Sequence, residues 1–290
     1  IMNTQAPRTL PCVRWGQHDI SRLLVGHNPL KGWSHFSEEL TAEMKAWHAD
    51  RSRVLATLRR CEECGINTAQ FGGADMHDLL RDHHDAGGRL QWIATFYGND
   101  EGQQAIGQAL DMEAELREIL AATPAPIGIQ HFGERTDRLY FEGRLPEVRE
   151  AMKRLRDTGL LTGLCTHLPE VAEEVAAQGW DIDFYQLSFY TAYAGTRRKG
   201  IDRTTEIFDD PDRDRMAGLV RQLDKPCLVF KVLGANRKCR TRQDVEAALR
   251  YAYERIKPND VVCVGMWQKH LDQVQANAAY VRELLGSGKG

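Results

Sequence analysis

Short apolar runs alternate with longer amphipathic segments along the whole chain. The apolar runs are rich in β-branched and aromatic residues, which is typical of strands buried on both faces of a parallel sheet. Eight such runs predict strands at Leu23–Gly26, Thr68–Phe71, Leu90–Phe96, Ile127–His131, Thr162–Thr166, Phe184–Leu187, Cys227–Leu233 and Val261–Met266.

The segments between these runs have helical periodicity, with apolar residues recurring every three or four positions. Helices are predicted over Leu145–Asp157, Pro169–Ala177, Arg242–Ile256 and Leu271–Leu285. Eight alternating strand–helix units predict an α/β fold, a closed (β/α)8 TIM barrel, with residues 1–290 as a single domain. An open doubly wound sheet is the alternative, and it is disfavoured because no GxGxxG motif follows the first strand.

Two connections depart from this repeating pattern. Leu10–Trp15 and Asp19–Leu24 flank a Gly-Gln-His turn, which predicts an N-terminal β-hairpin closing the bottom of the barrel. A long, charged connection follows Tyr190 and covers Thr191–Arg215. A long loop after a barrel strand is typical of a lid or a substrate-binding loop, and a solvated insertion is the alternative.

Composition and charge exclude several classes of protein. Lys and Arg total 38 and Asp and Glu total 41, a net charge of −3, which argues against binding to nucleic acid or to an anionic membrane. Hydrophobic residues make up 42% of the chain, enough for a large core, but no apolar run approaches the length of a membrane span. Several of the seven cysteines lie in apolar runs, which predicts free thiols in the reducing cytoplasm.

The functional residues of such a barrel are expected at the carboxyl ends of its strands. Three of these ends carry a histidine: His27, His131 and His167. Converging imidazoles suit acid–base catalysis near neutral pH, or binding of zinc, manganese or iron. Lys231 in an otherwise apolar strand is a fourth catalytic candidate, as a base, a Schiff-base amine or a cation that holds substrate. The residues expected to bind substrate are Gln70, Asp75, Glu134, Gln186 and Tyr190.

Several segments resemble aldo-keto reductases, and the likeness keeps strand order over nearly the whole chain. The start RWGQHDISRLLVGHNPLKGWSH resembles the hairpin and first strand of that family, followed by GINTAQFGG and QWIATF as the next two strands. The segments that resemble the later strands are IGIQHFG, LTGLCTHLPE, DIDFYQLSFY, VLGANR and VGMWQKHLDQVQAN, in that order. The resemblance implies the same barrel and, by family, NADPH-dependent carbonyl reduction.

Only one position of the family's Asp-Tyr-Lys-His tetrad is carried over. The aspartate corresponds to Gln70, the tyrosine falls near Asp75, the lysine corresponds to Phe96, and the histidine is His131. Without the tyrosine there is no evident acid to protonate a carbonyl oxygen as hydride arrives. If NADPH binds, the resemblance implies contacts from Gln186, Phe189, Arg237, Gln273 and Asn277.

These observations favour an enzyme on an aldo-keto-reductase-like barrel that performs proton-transfer chemistry instead of carbonyl reduction. Elimination, epimerisation or isomerisation of a polar, carbohydrate-like molecule would make it a lyase or isomerase, with His131 as acid or base. A divalent metal on His27, His131 and His167 is one version of this hypothesis. Two alternatives stay open: an NADPH-dependent reductase with an altered site, and a barrel that binds a ligand without catalysis.

Overall fold

A closed barrel of eight parallel strands forms the centre of the molecule and confirms the predicted fold class. The structure is a computed structural model that describes residues 9–98, 111–193 and 206–286. Its strands are β1 (Cys12–Trp15), β2 (His18–Ser21), β3 (Leu23–Gly26), β4 (Thr68–Phe71), β5 (Gln91–Phe96), β6 (Gly128–His131), β7 (Leu161–Thr166), β8 (Phe184–Ser188), β9 (Ala192–Tyr193), β10 (Glu206–Ile207), β11 (Cys227–Phe230) and β12 (Val261–Gly265).

Helices surround the barrel and cover its outer face. They are α1 (Glu38–His48), α2 (Arg51–Glu63), α3 (Ala74–Asp85), α4 (Met112–Ala121), α5 (Gly133–Phe141), α6 (Leu145–Arg156), α7 (Pro169–Ala177), α8 (Asp210–Val220), α9 (Arg242–Arg255) and α10 (Gln273–Gly286). Each buries an apolar face; α6, for example, buries Leu145, Val148, Met152 and Leu155 at the predicted helical spacing. In the part of the chain that the structure describes, no helix is both long and apolar enough to span a membrane.

The barrel strands follow the order β3, β4, β5, β6, β7, β8, β11 and β12, and β12 pairs again with β3. Side chains alternate between the barrel interior and the helices. On β5, Ile93 belongs to the cluster inside the barrel, whereas Trp92 and Ala94 belong to the cluster beneath the helices. This alternation decides which strand-end residues face a ligand.

The predicted hairpin is present as β1 and β2, joined by a turn at Gly16 with φ of +55°. Trp15 and Ile20 belong to the cluster inside the barrel, and the Trp15 ring stacks on Phe184 with centroids 5.2 Å apart. The Ser21 amide donates to Asn67, which precedes β4, so the hairpin lies at the amino ends of the strands. It therefore closes the bottom, as predicted, and leaves the carboxyl ends as the mouth.

The connection predicted as a lid lies partly outside the described residues, at 194–205. Its described ends pair as the antiparallel strands β9 and β10. Phe208, just after β10, packs on Tyr190 with ring centroids 5.4 Å apart. β11 ends three residues earlier than predicted because Lys231 takes a left-handed backbone conformation, with φ of +58°.

Candidate functional site

Three glutamines on alternate barrel strands face the interior beneath the mouth. Gln70 lies on β4, Gln130 on β6 and Gln186 on β8, and we call this set the glutamine layer. The residues beside them on each strand belong to the outer cluster, so these three side chains point inward. Alternate strands of a TIM barrel contribute side chains to a common interior layer.

Thr95 of β5 connects two members of the glutamine layer. Nε2 of Gln70 donates to Oγ1 of Thr95 at 2.6 Å, and Nε2 of Gln130 donates to the same oxygen at 3.3 Å. Gln130 and Gln186 are only 2% and 4% exposed, yet the Oε1 atom of each lacks a hydrogen-bond partner among the described residues. Buried carboxamide oxygens normally have a partner, so this layer is a candidate binding surface.

A buried histidine–carboxylate pair lies above this layer. Nδ1 of His167, directly after β7, is 2.8 Å from Oδ2 of Asp137 on α5. The Asp137 carboxylate is fully buried and also accepts from the Thr166 hydroxyl and from the His167 backbone N–H. Because the carboxylate accepts at Nδ1, the neutral imidazole carries its lone pair on Nε2.

His167 belongs to the mouth of the barrel. Its ring lies 5.5 Å, centroid to centroid, from Phe230, which packs against the interior cluster. Cys165, two residues earlier, faces the interior, and burial raises the pKa of its thiol well above the usual value. The charges of Asp137 and Glu134 raise that pKa further, and the charge of Lys231 lowers it. All three charged groups therefore lie near the Cys165 thiol.

A second basic group approaches the mouth from the loop after β3. The Lys31 ammonium lies 2.9 Å from Oδ1 of Asp75 and donates to the carbonyl oxygen of Gly72 at 3.2 Å. The Lys31 side chain is 3% exposed, whereas that of Asp75 is 50% exposed. Nδ1 of His27 lies 3.3 Å from the Gln70 carbonyl oxygen. Burial, with the Lys31 charge second, lowers the pKa of His27 to about 4.

His131 is placed differently from the prediction that made it the main acid or base. It pairs in register with Phe96, and the residues next to it on β6 alternate so that Gln130 faces inward and His131 outward. Its Nδ1 lies 2.8 Å from the Thr136 hydroxyl on α5, and the residue is fully buried. Burial lowers the pKa of His131 to about 3, so the ring is a neutral core residue beneath α5.

The predicted metal set of His27, His131 and His167 is therefore wrong. His131 faces the helices while His167 faces the mouth, so the three rings do not converge. Over residues 9–98, 111–193 and 206–286, no group of three or more His, Cys, Asp or Glu side chains is arranged to hold a metal ion. The described side chains do not fit a bound divalent cation.

The positions expected to contact NADPH are scattered. Phe189, expected to stack on the nicotinamide, is 1% exposed and lies edge-on to Tyr251 of α9, so it faces away from the mouth. Oε1 of Gln273 accepts from the Trp267 backbone N–H at 2.8 Å, and Asn277 is buried within α10. Gln186 and Arg237 remain near the mouth, where the Arg237 guanidinium lies 4.1 Å from the Phe208 ring centroid.

The remaining candidates from the sequence lie at the rim of the mouth. Glu134 is in the first turn of α5. The Tyr190 hydroxyl lies 3.4 Å from Oδ1 of Asp210, and burial raises the pKa of Tyr190 to about 12. The Lys231 amine lies 5.8 Å from the Phe208 ring centroid. Glu134 and Lys231 lie close enough to Cys165 for their charges to act on its thiol, whereas Tyr190 is buried in the outer cluster against Phe208.

Sequence reasoning missed Asp137, Lys31, Thr95 and Gln130 as parts of this site. Asp137 lies on a helix rather than at a strand end, and Lys31 lies in the loop after β3. Thr95 and Gln130 each stand near the carboxyl end of a strand, which is the one signal for them that the sequence contains. Their inward direction follows from the structure, in which Ile93 belongs to the interior cluster and Ile129 to the outer one.

Comparison with known proteins supports the fold. No family model and no curated protein matches the chain. The aldo-keto reductase Tm1743, in complex with the inhibitor epalrestat, matches at 14% identity and a TM-score of 0.58, over 96% of this chain and 99% of that one. The glycerol dehydrogenase AKR11B4 from Gluconobacter oxydans matches at 10% identity and a TM-score of 0.53, over 95% of both chains.

A dihydropteroate synthase from Thermus thermophilus also matches, at 11% identity and a TM-score of 0.50, over 97% of this chain and 100% of that one. These similar structures are enzymes on TIM barrels. The likeness confirms that the fold resembles the aldo-keto reductase barrel, as the sequence predicted. At such low identity it concerns the fold alone, because one barrel supports many chemistries.

Proposed function

We propose that this protein is an enzyme that transfers protons, without a redox step, on a polar, carbohydrate-like small molecule. The observation that carries the proposal is the Asp137–His167 pair at the mouth, with Nδ1 and Oδ2 2.8 Å apart. A carboxylate that fixes the tautomer and orientation of an imidazole is the arrangement that general acid–base catalysis requires. His167 thus takes the role that was predicted for His131.

The reaction class follows from what this pair can do. Nε2 of His167 removes a proton from a carbon next to a carbonyl, and the electron pair of the broken C–H bond moves to the carbonyl oxygen as an enolate. Returning the proton to the neighbouring carbon isomerises the substrate, and returning it on the other face epimerises it. Expulsion of a β-substituent with its bonding electrons completes an elimination. Lys231, close to Cys165, supplies positive charge for the enolate oxygen.

The geometry gives no support to either of the two cofactor hypotheses. The described residues do not assemble a metal site, and Phe189 is turned away from the place where a nicotinamide would stack. The proton-transfer steps above therefore use only side chains of this protein. A lyase or isomerase acting on a hydroxylated carbonyl compound is the activity that the arrangement favours.

Solvent deuterium exchange tests this proposal before the substrate is known in detail. The protein would be incubated in D2O, without NADPH, with a panel of aldoses, ketoses and aldonic acids, and deuterium at carbon followed by ¹H NMR. We expect exchange or conversion of at least one compound. His167→Asn should abolish it, because asparagine keeps a donor near the Nδ1 position but lacks Nε2.

His131→Asn is the matched control, because it makes the same change at the histidine that faces α5. We expect this variant to keep the exchange rate within a fewfold of wild type. Equal loss of deuterium exchange in both variants, or undiminished exchange in His167→Asn, contradicts the assignment of His167 as the acid–base residue. NADPH-dependent reduction of a carbonyl compound with no exchange supports the reductase, and binding without either reaction supports a non-catalytic barrel.

A further inference from the structure

We propose that the glutamine layer is the buried subsite that binds the hydroxyl groups of the substrate, and that the ligand it takes is an uncharged polyol or sugar chain. The inference rests on the proposed function and extends it, because it specifies which end of the substrate enters the barrel first. It depends on the three carboxamides and Thr95, not on the acid–base pair.

The first observation is the unmatched polar surface inside the barrel. Gln130 and Gln186 are 2% and 4% exposed, and the Oε1 atom of each lacks a hydrogen-bond partner among the described residues. Leaving a buried polar atom unpaired destabilises a fold, so such atoms usually mark a site for a ligand or an ordered water. Both side chains lie on the inward face of their strands, near the mouth.

The second observation is the direction of approach. Gln70, Gln130 and Gln186 come from β4, β6 and β8, which alternate around the closed barrel. They therefore reach the axis from different sides. A planar amide or heterocycle presents its polar atoms in one plane and matches one such side chain well. A carbon chain with a hydroxyl on each carbon presents polar atoms in several directions and matches all three.

The third observation is the neutral character of this layer. The glutamine layer and Thr95 contain no ionisable group, and the adjoining inward residue Cys165 is held in its neutral thiol form because burial raises its pKa. The charged groups, Lys231 and the Asp137–His167 pair, lie nearer the mouth. Lys231 acts on Cys165, but the charges of Asp137 and Glu134 oppose it there. An anionic end of a ligand would therefore lose its hydration inside the barrel without a net positive charge in return. The end that enters first is therefore neutral.

Hydroxyl groups also match either orientation of these side chains. The two ends of a glutamine amide exchange roles if the group is rotated, so each carboxamide offers either a donor or an acceptor at a given point. A hydroxyl both donates and accepts. The match with a polyol is thus independent of how each amide is turned, which is not true of a ligand that only accepts or only donates.

The geometry also relates this subsite to the reacting carbon. Gln186 pairs in register with Cys165, and His167 stands two residues further along. Two residues of a parallel strand rise roughly 7 Å. A substrate with hydroxyls bound at the glutamine layer therefore spans several carbon atoms before it reaches His167. This length excludes one- and two-carbon substrates.

Binding of simple polyols tests the inference without any need for turnover. Glycerol, erythritol, xylitol, glucitol and myo-inositol would each be titrated into wild type, Gln130→Met and Gln186→Met by calorimetry and saturation-transfer NMR. We expect wild type to bind at least one of the longer polyols. Either methionine variant should weaken that binding about tenfold or more, because a hydrogen-bonding side chain is replaced by an apolar one of similar size.

Gln222→Met is the matched control, since Gln222 is an exposed glutamine near the end of α8. It should leave polyol affinity unchanged within about twofold. Thermal unfolding of the ligand-free proteins gives a second readout. Gln186→Met should unfold at the same temperature as wild type or higher, because methionine removes a buried oxygen that has no partner among the described residues. A purely structural carboxamide predicts a lower unfolding temperature instead.

Polyol binding and proton exchange can fail independently of each other. Failure of every polyol to bind, or polyol binding that survives both methionine substitutions, overturns the subsite. Glutamine-dependent binding of nicotinamide, used as a planar amide probe, with no polyol binding overturns it in favour of a cofactor site. His167→Asn should keep its affinity for the polyol. If the wild-type protein binds a polyol but shows no proton exchange, the subsite is supported and the proposed reaction is overturned.

Discussion

Asp137 and His167 are 30 residues apart in the sequence, but the carboxylate of one accepts from the imidazole Nδ1 of the other at 2.8 Å. Packing of α5 against β7 brings them together, and the Thr166 hydroxyl and the His167 backbone N–H complete the set of donors to the same carboxylate. Three hydrogen-bond donors hold the buried Asp137 carboxylate in one position. It holds the ring of His167 in one tautomer and one orientation.

Asp137→Asn should be the most damaging conservative change in the site. An amide presents its own N–H₂ where the carboxylate accepts, so at least one donor loses its partner. We expect activity in the deuterium-exchange assay to fall by about 10²-fold or more and the free energy of unfolding in urea to fall by roughly 1–3 kcal/mol. Asp181→Asn, at an exposed aspartate, is the control. Full activity in Asp137→Asn would show that the pair is only structural.

His131 should limit stability in mild acid. Burial lowers the pKa of His131 to about 3, so the folded state binds this proton less readily than the unfolded state, where the pKa is near 6.5. Its contribution to stability is therefore complete above pH about 6.5 and is lost as the pH falls toward 3. In urea unfolding between pH about 4.5 and 7, His131→Asn should reduce the slope of stability against pH. An unchanged slope would place the acid sensitivity elsewhere, for example at His27.

Glu115 should affect the pH dependence of stability in the opposite direction to His131. It is buried on α4 and accepts from the backbone N–H groups of Tyr97 and Gly98, at 2.7 Å each. Burial outweighs these hydrogen bonds and raises the pKa of Glu115 to about 7, so the folded state binds the proton more readily than the unfolded state. This contribution is present below pH about 4.5 and is lost as the pH rises to about 7.

The test for Glu115 is a difference between two proteins. Glu115→Gln cannot ionise, so its stability relative to wild type should improve as the pH rises from about 5 to 8, even if it is the less stable protein at the lower pH. Urea unfolding at several pH values measures that difference. Glu150→Gln, at a side chain that is 70% exposed, should show no such trend. A difference that stays constant with pH would mean that Glu115 is ionised throughout.

Lys31 should control the protonation of His27. Burial is the main cause of the lowered His27 pKa, and the Lys31 charge is the second. Lys31→Met removes that charge and leaves the Asp75 carboxylate nearby, so the pKa of His27 should rise. Histidine side-chain NMR across a pH titration measures it directly. Lys153→Met, at a side chain that is 63% exposed, is the control. A His27 pKa that does not move would mean that solvent screens the Lys31 charge.

Local patterns in the chain were enough to specify the architecture of this protein. Strand and helix patterns, the bottom hairpin and the identity of the strand-end residues followed from periodicity and turn chemistry. Gln70 and Gln186 were recognised because they stand at the carboxyl ends of predicted strands, where the functional residues of such a barrel are expected. These features depend on neighbours within a few residues, so the linear pattern contains them.

The contacts between these residues were decided by the packing of the barrel. Strands covered on both faces are apolar on both, so their sequence does not show that His131 faces the helices and Gln130 the interior. Asp137 reaches His167 because α5 packs on β7. Lys31 reaches Asp75 because the barrel places the loop after β3 beside the first turn of α3. Contacts between distant segments depend on closure and packing of the whole barrel, and a pattern of local preferences cannot specify them.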